Sequence, residues 1–387
     1  MPVKLTVPAN VDRLVPYVPG KPVEELEREL GIRNAVKLAS NESPFGPAPE
    51  VTRALAEAAR ELHRYPDAGT FALRSALAAH HDLPMDRFLV GNGSNEVIDL
   101  LCRTFVGPDD HGVFGEPSFV CYRIGLTAAN VPFTAVPLRE GIYWDIDAML
   151  EAVRPETKVL FLANPNNPTG THVGRGDLER LLRELPPQVL AVIDEAYVEF
   201  ADAPDYETAL AFRGLRERLV VLRTFSKAYG LAALRVGYAV APPEVVAYLN
   251  RMRAPFNVGS LGQVAARVAL GQREHLERYV ALNRDERARL SRELGARGLR
   301  VAPSQANFVL ADFQQPGREV YEALLRQGVI VRPMPPPIDT WLRISIGLPE
   351  ENDRLLRAID QTGVAPGVGQ HPGVPPGTGT PGRRTDA

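Results

Sequence analysis

Four short, uninterrupted apolar runs constrain the fold of this chain more than any other feature. They are FLVG (88–91), KVLFLA (158–163), VLAVI (189–193) and LVVLR (219–223), and stretches with helical periodicity separate them. Strands that are apolar throughout, rather than at alternate positions, are typical of parallel sheets covered by helices on both faces. The pattern therefore predicts an α/β fold with a mostly parallel sheet.

The regions outside these runs have different patterns. Residues 1–20 contain four prolines and no helical period, which predicts an extended N-terminal arm. From about residue 262 to 362, Arg- and Glu-rich helical segments precede short strand candidates, so a smaller α+β unit is expected. The strand candidates are NFVLADF (307–313), GVIVRP (328–333) and WLRISIG (341–347). Residues 363–387 are rich in Gly and Pro, and we expect a disordered tail there.

Composition narrows the class of protein. Of the 387 residues, 45% are hydrophobic and 24% are charged, with a formal net charge of -3, so neither nucleic acid nor an anionic membrane is expected as a partner. The only cysteines, Cys102 and Cys121, are too few for a disulfide framework and are not spaced as a metal site, so no metal is predicted. No uncharged apolar run approaches the roughly 20 residues that span a bilayer. The first ten residues lack the apolar core of a signal peptide, and we expect a soluble, cytoplasmic protein.

Polar residues follow each of the four apolar runs where the strand is predicted to end. They are Asn92–Asn95, NPNNPTG (164–170), DEAY (194–197), and finally Thr224, Ser226 and Lys227. In an open parallel sheet these ends meet at one edge, where ligands bind. Turn formation explains any one of these segments, and helix capping explains Ser94, Asn95 or Asp194 taken singly. Four such segments together favour a ligand site.

The stretch TFSKAYGLAALRVG (224–237) sets Lys227 among small and apolar residues. An unpaired ammonium group is costly in such surroundings. A dry site lowers the pKa of a lysine amine and frees its lone pair to attack an aldehyde. We therefore predict that Lys227 binds covalently to pyridoxal 5′-phosphate (PLP). Arg235, eight residues further on, is predicted to bind the cofactor phosphate through its planar guanidinium.

The other groups that PLP needs are available at the same predicted edge. Asp194 is predicted to keep the pyridine nitrogen protonated, and Asn167 and Tyr197 to donate to the phenolate oxygen. Phe119, in EPSFVCY, is predicted to cover the ring. The predicted phosphate site uses the start of a helix and consists of Gly93, Ser94, Asn95, Thr224, Ser226 and Arg235. The GNG segment lacks the third glycine of a dinucleotide site, and no GxSxG elbow or phosphate loop ending in GKS or GKT occurs.

Taken together, these segments resemble the class I/II aminotransferases, a superfamily with the PLP-dependent fold type I. The set that carries this resemblance is NPNNPTG, DEAY, the lysine of TFSK and the arginine at position 235. VPYVPGKPVEELERELG (15–31) and RAPFNVGSLGQ (253–263) are most similar to histidinol-phosphate aminotransferases. KLASNESPFGP (37–47), RYPD (64–67) and LRISIG (342–347) also match, and only the tail lies outside the resemblance.

The resemblance implies roles for residues that the strand ends do not single out. Tyr65 of RYPD is implied to reach the cofactor phosphate of a partner subunit, which makes the protein a homodimer with active sites at the subunit interface. Arg343 is implied to bind the α-carboxylate of the amino donor, and Arg332 the phosphate of the substrate. Tyr17 and Asn41 are implied to help close the substrate site.

A domain plan also follows from the resemblance. It comprises an N-terminal arm (1–20), a large PLP-binding domain (45–250), a small domain (21–44 together with 251–362) and the tail (363–387). Phe119 stands where close relatives often carry tyrosine. Stacking requires only a flat ring, so we expect catalysis to survive without the hydrogen bond that a tyrosine would make.

The implied reaction is transamination between L-histidinol phosphate and 2-oxoglutarate, giving imidazole acetol phosphate and glutamate in histidine biosynthesis. Lys227 is the expected general base, with Asp194 and Tyr197 as the other catalytic residues. An aromatic amino-acid aminotransferase would share the cofactor residues and differ only in the side-chain pocket. A PLP-dependent decarboxylase of a phosphorylated amino acid is a further alternative. A cofactor-sensing module of a transcription regulator is disfavoured, because the proline-broken first 40 residues leave no room for a helix-turn-helix.

Overall fold

The computed structural model describes residues 5–16 and 20–366. In these ranges the helices are α1 (Ala9–Asp12), α2 (Val23–Leu30), α3 (Pro49–Ala58), α4 (Phe71–His81), α5 (Ser94–Phe105), α6 (Cys121–Ala128), α7 (Ile146–Glu151), α8 (Arg175–Glu184), α9 (Pro243–Met252), α10 (Ser260–Leu270), α11 (Arg273–Ala296), α12 (Gly317–Arg326) and α13 (Pro349–Thr362). The strands are β1 (Val36–Lys37), β2 (Phe88–Gly91), β3 (His111–Glu116), β4 (Phe133–Pro137), β5 (Thr157–Ala163), β6 (Leu190–Asp194), β7 (Leu219–Thr224), β8 (Gly237–Val240), β9 (Arg300–Val301), β10 (Phe308–Asp312), β11 (Val329–Ile330), β12 (Arg332–Pro333) and β13 (Trp341–Ser345).

The four apolar runs form β2, β5, β6 and β7, as predicted, and they belong to one seven-stranded sheet. Its order is β2-β8-β7-β6-β5-β3-β4. Every residue of β2 and β6 is buried, as expected for strands covered on both faces. The predicted α/β fold with a mostly parallel sheet is therefore confirmed.

One strand of this sheet, β8, runs against the others. It pairs antiparallel with both β2 and β7. Strand β2 therefore points the same way as the parallel strands β7, β6, β5, β3 and β4. The sequence pattern does not predict β8, because its four residues follow directly on the lysine segment. Its first residue, Gly237, lies opposite both Gly91 and Thr224. The start of β8 therefore joins the edge at which the other strands end.

A smaller unit contains the remaining strands. β12, β13, β10 and β9 form a four-stranded antiparallel sheet, and β1 pairs in parallel with β11. Leu290 of α11, Val320 of α12 and Leu355 of α13 share a hydrophobic core with this sheet. Because β1 joins β11, the residues that follow β1 pass between the small sheet and the edge of the large one.

Helix α10 packs with the elements around the large sheet. It packs against α3 and α4, and Ala265, Ala266 and Ala269 belong to the same core as the large sheet. The sequence-based plan assigns residues 251–362 to the small domain, and that boundary stays a prediction. Of the helices in the described residues, none is both long and apolar enough to cross a membrane.

Candidate active site

One cleft lies where the carboxyl ends of the large sheet face the small unit. Most of the residues that the sequence analysis singles out line it. They are Asn41, Ser94, Asn95, Phe119, Asn167, Asp194, Tyr197, Thr224, Ser226, Lys227, Arg235 and Arg343, together with Ser40, Ala163, Pro165 and Ala196. The strand ends therefore deliver their polar residues to one place.

Lys227 lies in the turn just beyond β7. Its Nζ donates a hydrogen bond to the backbone oxygen of Ser40 at 3.2 Å and lies 5.9 Å from the ring centre of Tyr197. Burial of the amine lowers its pKa to about 7, and the positive charge of Arg343 acts in the same direction. A substantial share of the lysine is therefore uncharged near neutral pH, which is the state that attacks an aldehyde.

Asp194, the last residue of β6, is only 4% exposed. Its Oδ2 accepts a hydrogen bond from the Tyr122 hydroxyl at 2.8 Å, and its Oδ1 accepts one from the backbone N–H of Ala196 at 3.1 Å. Burial raises the pKa of Asp194 to about 6, although both hydrogen bonds act in the opposite direction. A cationic group bound in the cleft would stabilise this carboxylate, and a protonated ring nitrogen is such a group.

Tyr122 is a site residue that sequence reasoning missed. It is fully buried, and its ring stacks on Phe161 with the centroids 4.9 Å apart. It also meets Phe119 edge to face at 5.8 Å. The only signal in the sequence was its position three residues after Phe119 in EPSFVCY. Without its partner Asp194, a tyrosine on the buried face of a helix cannot be told from an ordinary core residue.

The start of α5 and Arg235 form a cradle of donors for an anion. Gly93, with φ +76°, immediately precedes the helix, and a Cβ atom there would lie 2.7 Å from Nη2 of Arg235. Glycine therefore lets the guanidinium approach the helix start. Nη1 of Arg235 lies 3.4 Å from Oγ of Ser226 and donates to the backbone oxygen of Ala232 at 3.1 Å. Backbone N–H groups at a helix start, with an arginine beside them, suit a phosphate.

Arg343 extends from β13 of the small unit. Its Nη1 donates to Oδ1 of Asn167 at 2.5 Å, and its Nη2 donates to the backbone oxygen of Ala39 at 2.7 Å. The guanidinium carbon lies 5.5 Å from the ring centre of Phe308. Because the carbonyl oxygen of Asn167 accepts from Arg343, its amide NH2 is the group suited to the predicted role as a donor.

Asn41 and Tyr197 meet across the cleft. Nδ2 of Asn41 donates to the Tyr197 hydroxyl at 3.0 Å, and Oγ of Ser345 donates to Oδ1 of Asn41 at 2.9 Å. The backbone oxygen of Asn41 accepts from Nδ2 of Asn307 at 3.1 Å. Both Asn41 and Tyr197 are buried, so this network holds the segment after β1 against both sheets.

Arg332 lies beside the first cleft rather than in its wall. It occupies the position directly opposite Arg343 on the neighbouring strand β12. It lines an adjoining cleft that shares Phe119, Asn167 and Arg343 with the first. The two arginines predicted to bind substrate anions are therefore neighbours at the mouth of the site.

Of the other predicted residues, Tyr65 does not line this cleft. Tyr65 is 83% exposed, and its ring stacks on Phe256 with the centroids 4.7 Å apart. Tyr17 lies outside the described residues. Within residues 5–16 and 20–366, no group of three or more His, Cys, Asp and Glu side chains is arranged to hold a metal ion.

The chemistry of the cleft fits PLP. An amine with a pKa of about 7 and a buried carboxylate with a pKa of about 6 face the same space. The aromatic ring of Phe119 lines it, and the cradle at the start of α5 supplies donors for a phosphate. An aldehyde, a basic ring nitrogen, a flat ring and a phosphate are the four groups that these features match.

Comparisons with known proteins agree with this arrangement. The family model described as "Aminotransferase class I and II" matches residues 33–359. The chain is 46% identical to the histidinol-phosphate aminotransferase of Anaeromyxobacter sp. over 91% of this chain and 98% of the relative. It is 47% identical to histidinol-phosphate aminotransferase 2 of Pseudomonas aeruginosa over 90% of this chain and 95% of the relative.

A solved structure gives the same result. The histidinol-phosphate aminotransferase of Sinorhizobium meliloti, determined in complex with pyridoxal-5′-phosphate, superposes with a TM-score of 0.86 at 28% identity. The match covers 93% of this chain and 98% of that structure. The chain therefore belongs to the class I and II aminotransferase family, in the group of the histidinol-phosphate aminotransferases.

Proposed function

We propose that this enzyme catalyses PLP-dependent transamination between L-histidinol phosphate and 2-oxoglutarate, giving imidazole acetol phosphate and glutamate in histidine biosynthesis. The observation that carries the proposal is the pair Arg343 and Arg332, directly opposite each other at the mouth of the cleft that contains Lys227. Both substrates are anionic, one through a phosphate and the other through carboxylates. An arginine pair suits both, because a guanidinium binds either group with two parallel hydrogen bonds.

Lys227 and Asp194 are the proposed catalytic groups. When bound, PLP supplies a ring that accepts electrons and so stabilises negative charge at the substrate Cα. Lys227, with its pKa near 7, is suited to take the proton from Cα and to return it. Asp194 is assigned to the ring nitrogen, and the hydroxyl of Tyr122 fixes the orientation of its carboxylate. Tyr197, held by Asn41, is assigned with Asn167 to the phenolate oxygen.

The remaining residues are assigned to binding. The phosphate of PLP is assigned to Gly93, Ser94, Asn95, Thr224, Ser226 and Arg235, and the face of its ring to Phe119. Arg343 is assigned to the α-carboxylate of glutamate and 2-oxoglutarate, and Arg332 to the phosphate of histidinol phosphate. Asn41 and Tyr17 are assigned to closing the substrate site.

We further infer that the enzyme is a homodimer and that Tyr65 serves the active site of the partner subunit. Tyr65 is exposed on its own chain, in keeping with a role outside its own cleft. A cytoplasmic location is also part of the proposal. It is supported by the two cysteines, Cys102 and Cys121, which are not joined in a disulfide.

A half-reaction screen tests the substrate. The PLP-loaded enzyme is mixed separately with histidinol phosphate, phenylalanine, tyrosine and threonine phosphate, without any 2-oxo acid, and the visible absorbance is followed. We expect rapid loss of absorbance with histidinol phosphate. Rapid loss with phenylalanine but not with histidinol phosphate would instead identify an aromatic amino-acid aminotransferase, and CO₂ release from threonine phosphate would identify a decarboxylase.

A variant of Arg332 sharpens the screen. Arg332→Gln removes the proposed phosphate ligand, so the concentration of histidinol phosphate needed for half-maximal rate should rise at least tenfold. The half-reaction with glutamate, which has no phosphate, should change less. Equal losses for the two donors would contradict the assignment of Arg332 to the phosphate.

A further inference from the structure

Tyr65 is supported by an aromatic contact on the surface of its own chain. Its ring and that of Phe256 lie nearly parallel, 18° apart, although the residues are 83% and 42% exposed. Phe256 also has φ +55°, an uncommon conformation for a residue with a side chain. Residues 64–70 are called the tyrosine loop below, and residues 253–263 are called the brace.

Hydrogen bonds fasten the tyrosine loop to the brace. Nη2 of Arg253 donates to the backbone oxygen of Ala68 at 2.6 Å. Nε2 of Gln263 donates to the backbone oxygen of Asp67 at 2.9 Å. The carboxylate of Asp67 in turn accepts from two backbone N–H groups of the same loop region. The loop is therefore held both internally and from the brace.

The brace is also connected to the anion cradle of its own chain. Oδ1 of Asn257 accepts from Nη1 of Arg253 at 3.0 Å, and Nδ2 of Asn257 donates to Oε2 of Glu96 at 2.7 Å. The same oxygen of Glu96 accepts from the backbone N–H of Asn92 at 2.5 Å. Asn92 directly precedes Gly93 in the cradle. A continuous set of contacts thus joins the cradle of one chain to the tyrosine loop of that chain.

We propose that the brace positions Tyr65 for the cofactor phosphate of the partner subunit, with Phe256 as the contact that fixes the ring. This inference rests on the proposed homodimer. Phe256 and Gln263 are then positioning residues, which act through Tyr65. Each brace also links the cradle of its own subunit to the residue that this subunit gives to the other active site.

Phe256→Leu tests the aromatic contact, since it removes the ring but keeps an apolar side chain. The proposal predicts that PLP binds about tenfold more weakly, and that the weakening occurs in the cleft of the partner subunit. Tyr248→Leu is the matched control, because Tyr248 is equally exposed at 42% but belongs to α9 and makes its ring contact with Phe105. It should leave the affinity for PLP unchanged.

Hybrid dimers separate the two clefts. The first joins a wild-type chain to a chain carrying both Lys227→Ala and Phe256→Leu, so the only Lys227 receives its Tyr65 from the altered brace. The second joins a Phe256→Leu chain to a Lys227→Ala chain, so the only Lys227 receives Tyr65 from an intact brace. Titration with PLP, followed by the visible absorbance of Lys227-bound cofactor, should show the tenfold loss only in the first hybrid.

Equal affinities in the two hybrids, whether both weakened or both normal, overturn the proposal. Gln263→Met removes the hydrogen bond from Gln263 to the backbone oxygen of Asp67 and should give the same difference between the two hybrids. It tests the proposal if the Phe256→Leu chain fails to assemble. A hybrid of wild-type and Lys227→Ala chains is the reference. If that reference takes up no PLP, the proposed function fails and the inference fails with it. If only the brace variants deviate from the expected pattern, the inference alone is wrong.

Discussion

Asp194 and Glu195 are consecutive buried carboxylates with opposite surroundings. Asp194 lines the cleft, and its donors are the neutral hydroxyl of Tyr122 and the N–H of Ala196. Glu195 binds Arg223 at 2.8 Å and also accepts from the hydroxyl of Thr208 and the N–H of Ala209. The fold provides a cation for one carboxylate and none of comparable closeness for the other.

The difference separates a charge that is paired within the fold from one that is suited to a ligand. A buried ion pair that is fully hydrogen-bonded belongs to the fold, and breaking it leaves a charge without a partner. A buried carboxylate that has only neutral donors, and a raised pKa, is suited to a cation that arrives with a ligand. Lys227 and Asp194, which line the cleft, are called the cleft side. The buried ion pair of Arg223 and Glu195 is called the back side.

The largest expected effect lies on the cleft side. Lys227→Ala removes the proposed general base, so transamination should fall by about 10⁴-fold, the upper end of what such a group contributes. Turnover of the purified, folded variant with histidinol phosphate and 2-oxoglutarate measures this. Lys37→Ala is the control, since Lys37 forms a surface pair with Glu42, and it should retain full activity. Full turnover of Lys227→Ala would falsify the assignment.

The next effect lies on the back side and concerns stability. Arg223→Met leaves Glu195 buried without its cation, so the free energy of unfolding should fall by about 3–5 kcal/mol. Urea unfolding of the apoenzyme measures the loss. Arg218→Met, which removes an exposed arginine bound to the backbone oxygen of Gln188, should cost about 0.5 kcal/mol or less. A similar cost for both variants would mean that the buried pair is not structural.

Asp194→Asn should change the pH dependence of stability in the apoenzyme. Because the folded pKa of about 6 exceeds the ordinary value of 3.8, the folded state binds the proton more tightly, and stability from Asp194 is lost as pH rises from about 4 to 6. A difference of about two between the folded and unfolded pKa corresponds to about 3 kcal/mol of folding free energy. The asparagine at position 194 in the variant does not titrate. The free energy of unfolding of the variant, relative to that of the wild type, should therefore be higher at pH 8 than at pH 5.

Urea unfolding at the two pH values measures this change, and Glu195→Gln serves as the opposite case. Glu195→Gln removes the charge that pairs with Arg223, so it should destabilise the apoenzyme at pH 8. Turnover of PLP-loaded Asp194→Asn should fall by about 10²-fold, because a neutral amide cannot hold the ring nitrogen positive. An Asp194→Asn apoenzyme less stable than wild type at pH 8 would contradict the comparison.

The smallest expected effect comes from Tyr122→Phe. Loss of its hydroxyl removes one hydrogen bond to Asp194, which should cost about 1 kcal/mol and reduce turnover about fivefold. Without this hydrogen bond the pKa of Asp194 should rise further. The pH range over which the apoenzyme loses stability should therefore move upward. Tyr206→Phe is the matched control, because the Tyr206 hydroxyl donates to the backbone oxygen of Asn164. It should leave the pH range of this stability loss unchanged.

Strands β2, β5, β6 and β7 of the large sheet and the position of the cleft were predictable because both depend on local patterns. Continuous apolar runs indicate buried strands, and the polar residues after β5, β6 and β7 follow from the same stretches of sequence. Lys227 stood out because a lone charge in an apolar run requires an explanation. Strand β8 was missed, since its direction depends on pairing with β2 and β7 and not on its own four residues.

The sequence alone determined which chemical groups this enzyme has and near which strand ends they lie, because burial patterns and motifs are written in neighbouring residues. Only the tertiary structure decided which buried charges are paired. Tyr122 lies 72 residues from Asp194 and Arg223 lies 28 residues from Glu195, and such partners meet only when helices and strands that are separated in sequence pack together in one fold. The pKa values of Lys227 and Asp194 follow from the same assembly, since desolvation depends on everything packed around a group and not on its neighbours in the chain.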